Sequence, residues 1–385
     1  MKTFKLKALS AVVATGMMMA VGAASAQSVN GAGATLPQPL YEDIFSTGGA
    51  NGVIGTWTYA GGGSSSGKSR FLTTTNTVNF AGSDSALTTP EYGAYNGSNR
   101  ASWGPLIQVP AVATAVLIPY KRSGLANLNI TDNRLCELYS DPAYTWNELT
   151  APEGTIGTPG GGLVNVVYRL EGSGTTELLS NYLVAACPGK GFVKNTNFAT
   201  VVAGALPGGT IPSHWVGRTG SGGVSNAFNE GTASEGRVGY LSPDVDYTGN
   251  DNSVVAKING HLPNAASIQA ALPAPPVGAA RSNPVNWVPA YSLPTAAYPI
   301  FGTTNLLVGQ CYAGGFIAGS KGAAIKDFVT KLNNGAYDAK ITSHNFVKLP
   351  PAWNEAIEEE FLVGTSRNLQ FGNANNCNGV QGRPS

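Results

Sequence analysis

Three stretches of this chain, Gly33-Ala34-Thr35-Leu36-Pro37, Gly61-Gly62-Gly63-Ser64-Ser65-Ser66-Gly67 and Gly172-Ser173-Gly174-Thr175-Thr176, place glycine and small hydroxyl residues ahead of apolar runs of helical period. Leu40, Tyr41, Ile44 and Phe45 form one such run, and Leu178, Leu179, Tyr182, Leu183 and Ala186 another. Apolar residues recurring three and four apart share one helix face, so these stretches predict helix starts. A helix start leaves backbone N–H groups unpaired and carries partial positive charge. Three of them aimed at one point make a receptor for an anion that needs few cationic side chains.

Few are available. The 385 residues hold 23 Lys and Arg against 22 Asp and Glu, a formal charge of +1, and only 12% of the chain is charged. Such a balance offers no field suited to nucleic acid. Residues 1–26 predict an export signal: Lys2, Lys5 and Lys7 precede the apolar stretch from Ala8 to Gly22, and Ala24-Ser25-Ala26 is a small-residue cleavage site before Gln27. Removing it takes away three lysines and all four methionines, and the formal charge becomes −2. No Cys follows the cleavage site to carry a lipid, and no later apolar run has the length of a bilayer span. An exported protein without a membrane anchor is expected.

Cys136, Cys187, Cys311 and Cys377 are an even number in an exported chain, which favours two disulfides. Three pairings exist. Order along the chain favours Cys136 with Cys187 and Cys311 with Cys377, each pair within one candidate lobe. A metal site needs close Cys or His spacing that is missing here, so neither a metal nor a cofactor is expected.

Apolar strands alternate with helical patterns throughout, punctuated by 50 Gly and 24 Pro, and the length suits two domains of α/β type. Leu163–Tyr168, Val109–Pro119 and Asn305–Val308 read as buried strands. Ile325, Phe328, Val329 and Leu332, and then Trp353, Ile357 and Phe361, read as outer helices. Residues 262–299 hold Pro263, Pro273, Pro275, Pro276, Pro284, Pro289 and Pro294, which predicts an extended connector over the surface.

The strongest chemical unit is Tyr168-Arg169-Leu170-Glu171-Gly172-Ser173-Gly174-Thr175-Thr176-Glu177. Arg169 offers a planar fork that matches two oxygens of a tetrahedral oxyanion, and Glu171 is close enough in sequence to hold that fork. Ser173, Gly174 and Thr175 supply N–H groups and hydroxyls at the helix start. Taken singly, the neighbouring units have local explanations: Thr35 to Gln38 reads as a capping box with Pro37 in the first turn, Ser64 as an N-cap, and Asp84 in Phe80-Ala81-Gly82-Ser83-Asp84-Ser85 as an Asx turn. In an anion site, however, a carboxylate is repulsive unless the anion carries a proton. Phosphate does at neutral pH and sulfate does not, so Asp84 would select between them.

These residues resemble the periplasmic phosphate-binding proteins of bacterial phosphate ABC transporters, and more closely their DING-type relatives. Asn30-Gly31-Ala32-Gly33-Ala34-Thr35-Leu36-Pro37-Gln38 is similar to the DING N-terminal signature, with Val29 and Ala32 where that signature has Ile and Gly. Leu135-Cys136-Glu137-Leu138-Tyr139, Tyr144-Thr145-Trp146 and the ending Gly372-Asn373-Ala374-Asn375-Asn376-Cys377-Asn378-Gly379 correspond as well. The resemblance spans nearly all of the chain after the signal. It implies a two-lobe, type II venus-flytrap fold crossed twice by the chain, with crossings near Val116 and Ile300. Lobe 1 would comprise 27–115 with 300–385, and lobe 2 would comprise 116–299 including the connector. Phosphate contacts carry over to Thr35, Leu36, Ser64, Asp84, Arg169, Ser173, Gly174 and Thr175, with the same disulfide pairs. Inorganic phosphate is the implied ligand, arsenate a match in shape and protonation, a phosphate ABC transporter permease the implied partner, and a monomer the implied state.

Two other readings share these residues. A secreted phosphatase, known among DING-like relatives, would use the glycine motifs to cradle a phosphomonoester, with Ser64 or Thr175 as nucleophile; it needs metals or an activating base. His214, His261 and His344 are far apart in sequence. A secreted scavenger with no transporter would have the same site, and the signal does not distinguish periplasm from medium.

Overall fold

The computed structural model describes residues 27–73, 75, 78–152, 154–248, 254–363 and 367–384; the export signal expected over residues 1–26 lies outside them. One five-stranded sheet is built from β1 (Ser28–Gly33), β2 (Thr56–Gly61), β3 (Phe80–Ser83), β4 (Leu106–Ala115) and β11 (Phe301–Gly309), in the order β2-β1-β3-β11-β4. β1 runs parallel to β2 and β3, while β11 is antiparallel to β3 and β4. Every residue of β4 and β11 is buried. Strands covered on both faces need near-continuous apolar sequence, which is why these two segments are legible as strands.

The second sheet has four strands, β5 (Tyr120–Lys121), β7 (Asn165–Arg169), β8 (Val216–Arg218) and β9 (Arg237–Gly239), in the order β5-β9-β7-β8. A two-stranded ribbon of β6 (Asn129–Ile130) and β10 (Lys257–Ile258) accompanies it. The chain leaves the first sheet after β4 and returns at β11. Val116 N donates to Ile300 O at 2.8 Å, so the outgoing and the returning segment lie side by side.

Four helices position the site: α1 (Gln38–Phe45), α2 (Ser64–Leu72), α3 (Gly174–Ala186) and α4 (Gly220–Ala227). α1 buries Leu40, Tyr41 and Ile44 under the first sheet, with the Tyr41, Phe45, Trp57 and Phe80 rings closing on Phe328 of the outer helix Lys321–Asn333. α3 buries Leu178, Leu179, Tyr182 and Leu183. Both helices follow strands, the order that puts helix N-termini at the carboxyl end of a sheet.

Two disulfides join Cys136 to Cys187 and Cys311 to Cys377, with Cα atoms 5.6 and 5.4 Å apart. Each closes a loop of more than fifty residues. The chain-entropy cost of such loops is about 4 kcal/mol, and measured gains run about 2–4. The double variant C136S/C187S is expected to lose about 2–4 kcal/mol of unfolding free energy in urea. An unchanged midpoint and slope would show that the unfolded ensemble does not feel that loop.

The connector differs from its sequence expectation. Residues 265–271 form a helix, Ala265–Ala271, whose N-cap Asn264 accepts from Ser267 N, and the segment goes on through the turns Gly278–Ser282 and Pro284–Asn286. Trp287 is wholly buried, its ring 4.4 Å from Phe361 and 6.4 Å from Trp353. Gln108 Nε2 donates to Pro284 O, and Trp353 Nε1 to Pro273 O. The prolines set the turns, but burial of one large aromatic decides where the segment lies, and it lies against β4 and the C-terminal helices rather than free over the surface. None of the described helices is long and apolar enough to cross a membrane.

Candidate functional site

The facing ends of the two sheets bring together the residues that sequence singled out. Arg169, at the end of β7, is 2% exposed. Its Nε donates to Glu171 Oε1 at 2.7 Å, and its Nη2 bonds the same oxygen and also Thr35 Oγ1 at 2.9 Å. Nη1 points toward Thr175 Oγ1 at 3.5 Å. Its backbone N–H donates to Tyr240 OH at 2.9 Å, which fixes the strand end. Glu171 also accepts from Gly220 N at 3.0 Å, so one carboxylate locks the fork and caps α4.

Ser64 lies on the opposite wall, where its Oγ accepts from Asp84 N and Gly174 N, each at 3.1 Å. That single hydroxyl ties the turn after β3 to the first residue of α3. A Cβ on Gly174 would lie 2.4 Å from Ser64 Oγ and 2.6 Å from the Asp84 Cβ, so only glycine permits this approach. Ser173 caps α3 by accepting from Thr176 N, and Ser65 N donates to Gly172 O at 3.2 Å across the same gap.

Tertiary contacts override three of the local readings. α1 begins after Pro37 with no side-chain cap; Thr35 has turned its hydroxyl to Arg169 and to Ser221 N, which donates at 3.0 Å. α2 is capped by Gly63, with φ +87°, and Ser64 is its first helical residue. Asp84 is 2% exposed and makes no Asx turn; among the described residues its Oδ1 is buried without a hydrogen-bond partner, as are Thr304 Oγ1 and Tyr41 OH. Burial pushes the Asp84 pKa up to about 7, against the pull of the Thr304 hydroxyl and the Arg169 guanidinium, while the Glu177 carboxylate raises it further. A buried acceptor left unpaired costs about 1–3 kcal/mol, so Asp84 is poised to accept from a donor placed in this cleft.

Sequence reading missed a fourth helix start, Thr219-Gly220-Ser221-Gly222-Gly223 at α4, whose first N–H groups meet Glu171 and Thr35. Its glycine-rich turn carries almost no apolar period, so only the repeated Gly/Ser pattern could have flagged it. It also missed two inter-sheet contacts: Tyr247 OH donates to Thr35 O at 2.8 Å and Ser242 Oγ to Leu36 O at 2.8 Å. The cleft mouth, a cavity of about 470 Å³, is lined by Thr35, Gly62, Glu171, Gly220 and Tyr247.

Among the described residues, the histidines make no hydrogen bond within this cleft. His344 Nδ1 bonds Asp244 Oδ1 at 2.9 Å, with Asp246 nearby, a grouping of metal-ligand types that sequence spacing hid. The Asp244 carboxylate and the ring satisfy one another directly.

A two-lobe fold with helix ends, a locked arginine and a buried carboxylate facing across the cleft defines a solute-binding protein for a small oxyanion. The model of the PBP superfamily domain matches residues 20–330. Alkaline phosphatase L of Pseudomonas aeruginosa is 39% identical over 97% of this chain and 99% of its own. A solved high affinity periplasmic phosphate-binding protein (PfluDING) bound with phosphate is 36% identical, covers 93% of this chain and all of its own, and superposes with a TM-score of 0.77. A phosphate binding protein from Stenotrophomonas maltophilia matches with the same TM-score at 35% identity, over 94% of this chain and all of its own. The chain belongs to the PBP superfamily and, within it, to the DING-type phosphate-binding proteins.

Proposed function

We propose that this protein binds one inorganic phosphate between its lobes, with contacts from Thr35, Leu36, Ser64, Asp84, Arg169, Ser173, Gly174 and Thr175, and with Glu171 holding Arg169. Lobe 1 is taken as 27–115 with the chain from 300 onward. The observation that carries the reading is the buried, unpartnered Asp84 oxygen beside the locked Arg169. An ionised carboxylate only accepts, so it favours an anion that brings a proton. The protein acts outside the cytoplasm, released by its export signal, and passes phosphate to an ABC transporter permease or holds it as a secreted scavenger.

Isothermal titration with phosphate and with sulfate tests this. Phosphate should bind and sulfate should not compete at a hundredfold excess; equal binding of the two would remove Asp84 from the selection.

The name of the Pseudomonas aeruginosa relative supports hydrolysis of phosphomonoesters as a second reading. Against it, the Ser64 hydroxyl accepts from two backbone N–H groups, and among the described residues neither Ser64 nor Thr175 hydrogen-bonds a histidine. Turnover of a chromogenic phosphomonoester by purified protein, abolished by R169A, would reverse the order.

A further inference from the structure

Glu177 sits in the first turn of α3, yet its carboxylate is buried and reaches the other lobe. Ser85 Oγ donates to Glu177 Oε2 at 2.6 Å and Ala86 N donates to Oε1 at 3.3 Å. Ser85 and Ala86 are the two residues after Asp84. On the far side, Lys68 Nζ from α2 donates to Ser85 Oγ at 2.9 Å and Ala86 O at 3.0 Å, and pairs with Glu91 at 3.0 Å. Lys194 Nζ closes the array 3.4 Å from Glu177 Oε1.

The two halves of this array differ in one respect. Lys68, Ser85, Ala86 and Glu91 all lie in the lobe of the first sheet and stay together however the lobes move. Glu177 and Lys194 belong to the other lobe, and the contact of Glu177 with Ser85 and Ala86 spans the cleft, so any opening of the cleft would break it. A bond between an ionised carboxylate and a hydroxyl is short and roughly twice as strong as a neutral one. It therefore makes a clasp that registers closure at the residue next to the acceptor.

We infer that Glu177 is a positioning residue that clasps the Asp84 turn across the cleft, so that the acceptor is set for a protonated anion only in the closed protein. The inference rests on the proposed phosphate site. It adds a second task for the same side chain: the groups facing Asp84 are Arg169 from β7, Glu177 and Thr175 from α3, Thr304 from β11, Tyr41 from α1 and Tyr59 from β2. Of the charged ones, Arg169 favours the ionised carboxylate and Glu177 opposes it. Closing the clasp thus brings a like charge up to Asp84 and strengthens its hold on a shared proton.

Stopped-flow phosphate binding on E177Q and S85A separates the two tasks. E177Q keeps the shape and removes the charge, and phosphate should leave about tenfold faster with association unchanged within about twofold, the difference between a charged and a neutral hydrogen bond. S85A should share the faster release. Only E177Q should move the pH midpoint of the Asp84-dependent stability change of the ligand-free protein, and it should move it to lower pH. Hydrogen exchange at Ala86 N–H, measured with phosphate and without it, should quicken in E177Q in at least one of the two. Wild-type release rates, midpoint and exchange in E177Q overturn the clasp. A wild-type protein that binds no phosphate, with exchange still quickened in E177Q, overturns the phosphate reading and leaves the clasp standing.

Discussion

Replacing Arg169 with alanine should weaken phosphate binding by about 2 to 5 kcal/mol, roughly 30-fold to several thousandfold in Kd. The size follows from position. The guanidinium is 2% exposed, so the cleft does not screen its charge as water would, and its two ends are already fixed by Glu171 and Thr35 before a ligand arrives. A fork held in place loses little entropy when it binds two oxygens. Part of the loss in R169A will come from Glu171, whose Oε1 would keep only Gly220 N among the described partners it now has. R169K isolates the fork. A lysine keeps the charge but cannot reach Glu171, Thr35 and an anion together, so an intermediate loss is expected. Titration calorimetry showing wild-type affinity in R169A, with an unchanged melting temperature, would sink the site; wild-type affinity in R169K alone would sink the argument from geometry.

How far the chain discloses its site depends on whether the information is local. The starts of α1 and α3 are legible because a Gly/Ser/Thr turn and a period of 3.6 occupy the same dozen residues. Arg169 and Glu171 are legible as a pair because they are two residues apart. Thr35 misleads for the same reason: its neighbourhood is a good capping box, and only a hydrogen bond from a residue 134 positions away shows that its hydroxyl is used elsewhere. Glu177 and Ser85 are 92 positions apart, Asp244 and His344 100, and nothing in either neighbourhood announces the contact. The connector fails differently. Its prolines dominate the local reading, while Trp287, a single residue, supplies the burial that holds the segment down. Close packing of one large ring outweighs the propensity of its flanks.

D84N should lower discrimination and raise stability, which makes it the more demanding test. An Asn can donate as well as accept, so the variant no longer requires a proton on the anion. The phosphate-to-sulfate ratio should fall by about 10- to 150-fold, the worth of about 1.5–3 kcal/mol for a buried hydrogen bond to a charged group. Stability should rise. The Asp84 pKa is about 7 in the folded protein and 3.8 as its ordinary value, so between these pH values the folded state keeps a proton that the unfolded chain has released. The folded state then binds more protons than the unfolded, and stability falls as pH rises from about 4 to about 7 before levelling off. Over that interval the loss is on the order of 4 kcal/mol, since each pH unit of separation contributes about 1.4. D84N removes the group and with it the decline. Phosphate-free D84N should therefore melt above the wild type at pH 8 and near it at pH 4, measured by calorimetry at both. A variant that loses discrimination without gaining stability at pH 8 would show that Asp84 is ionised at little cost in the empty cleft, held so by Arg169. Its proton would then come from the ligand alone.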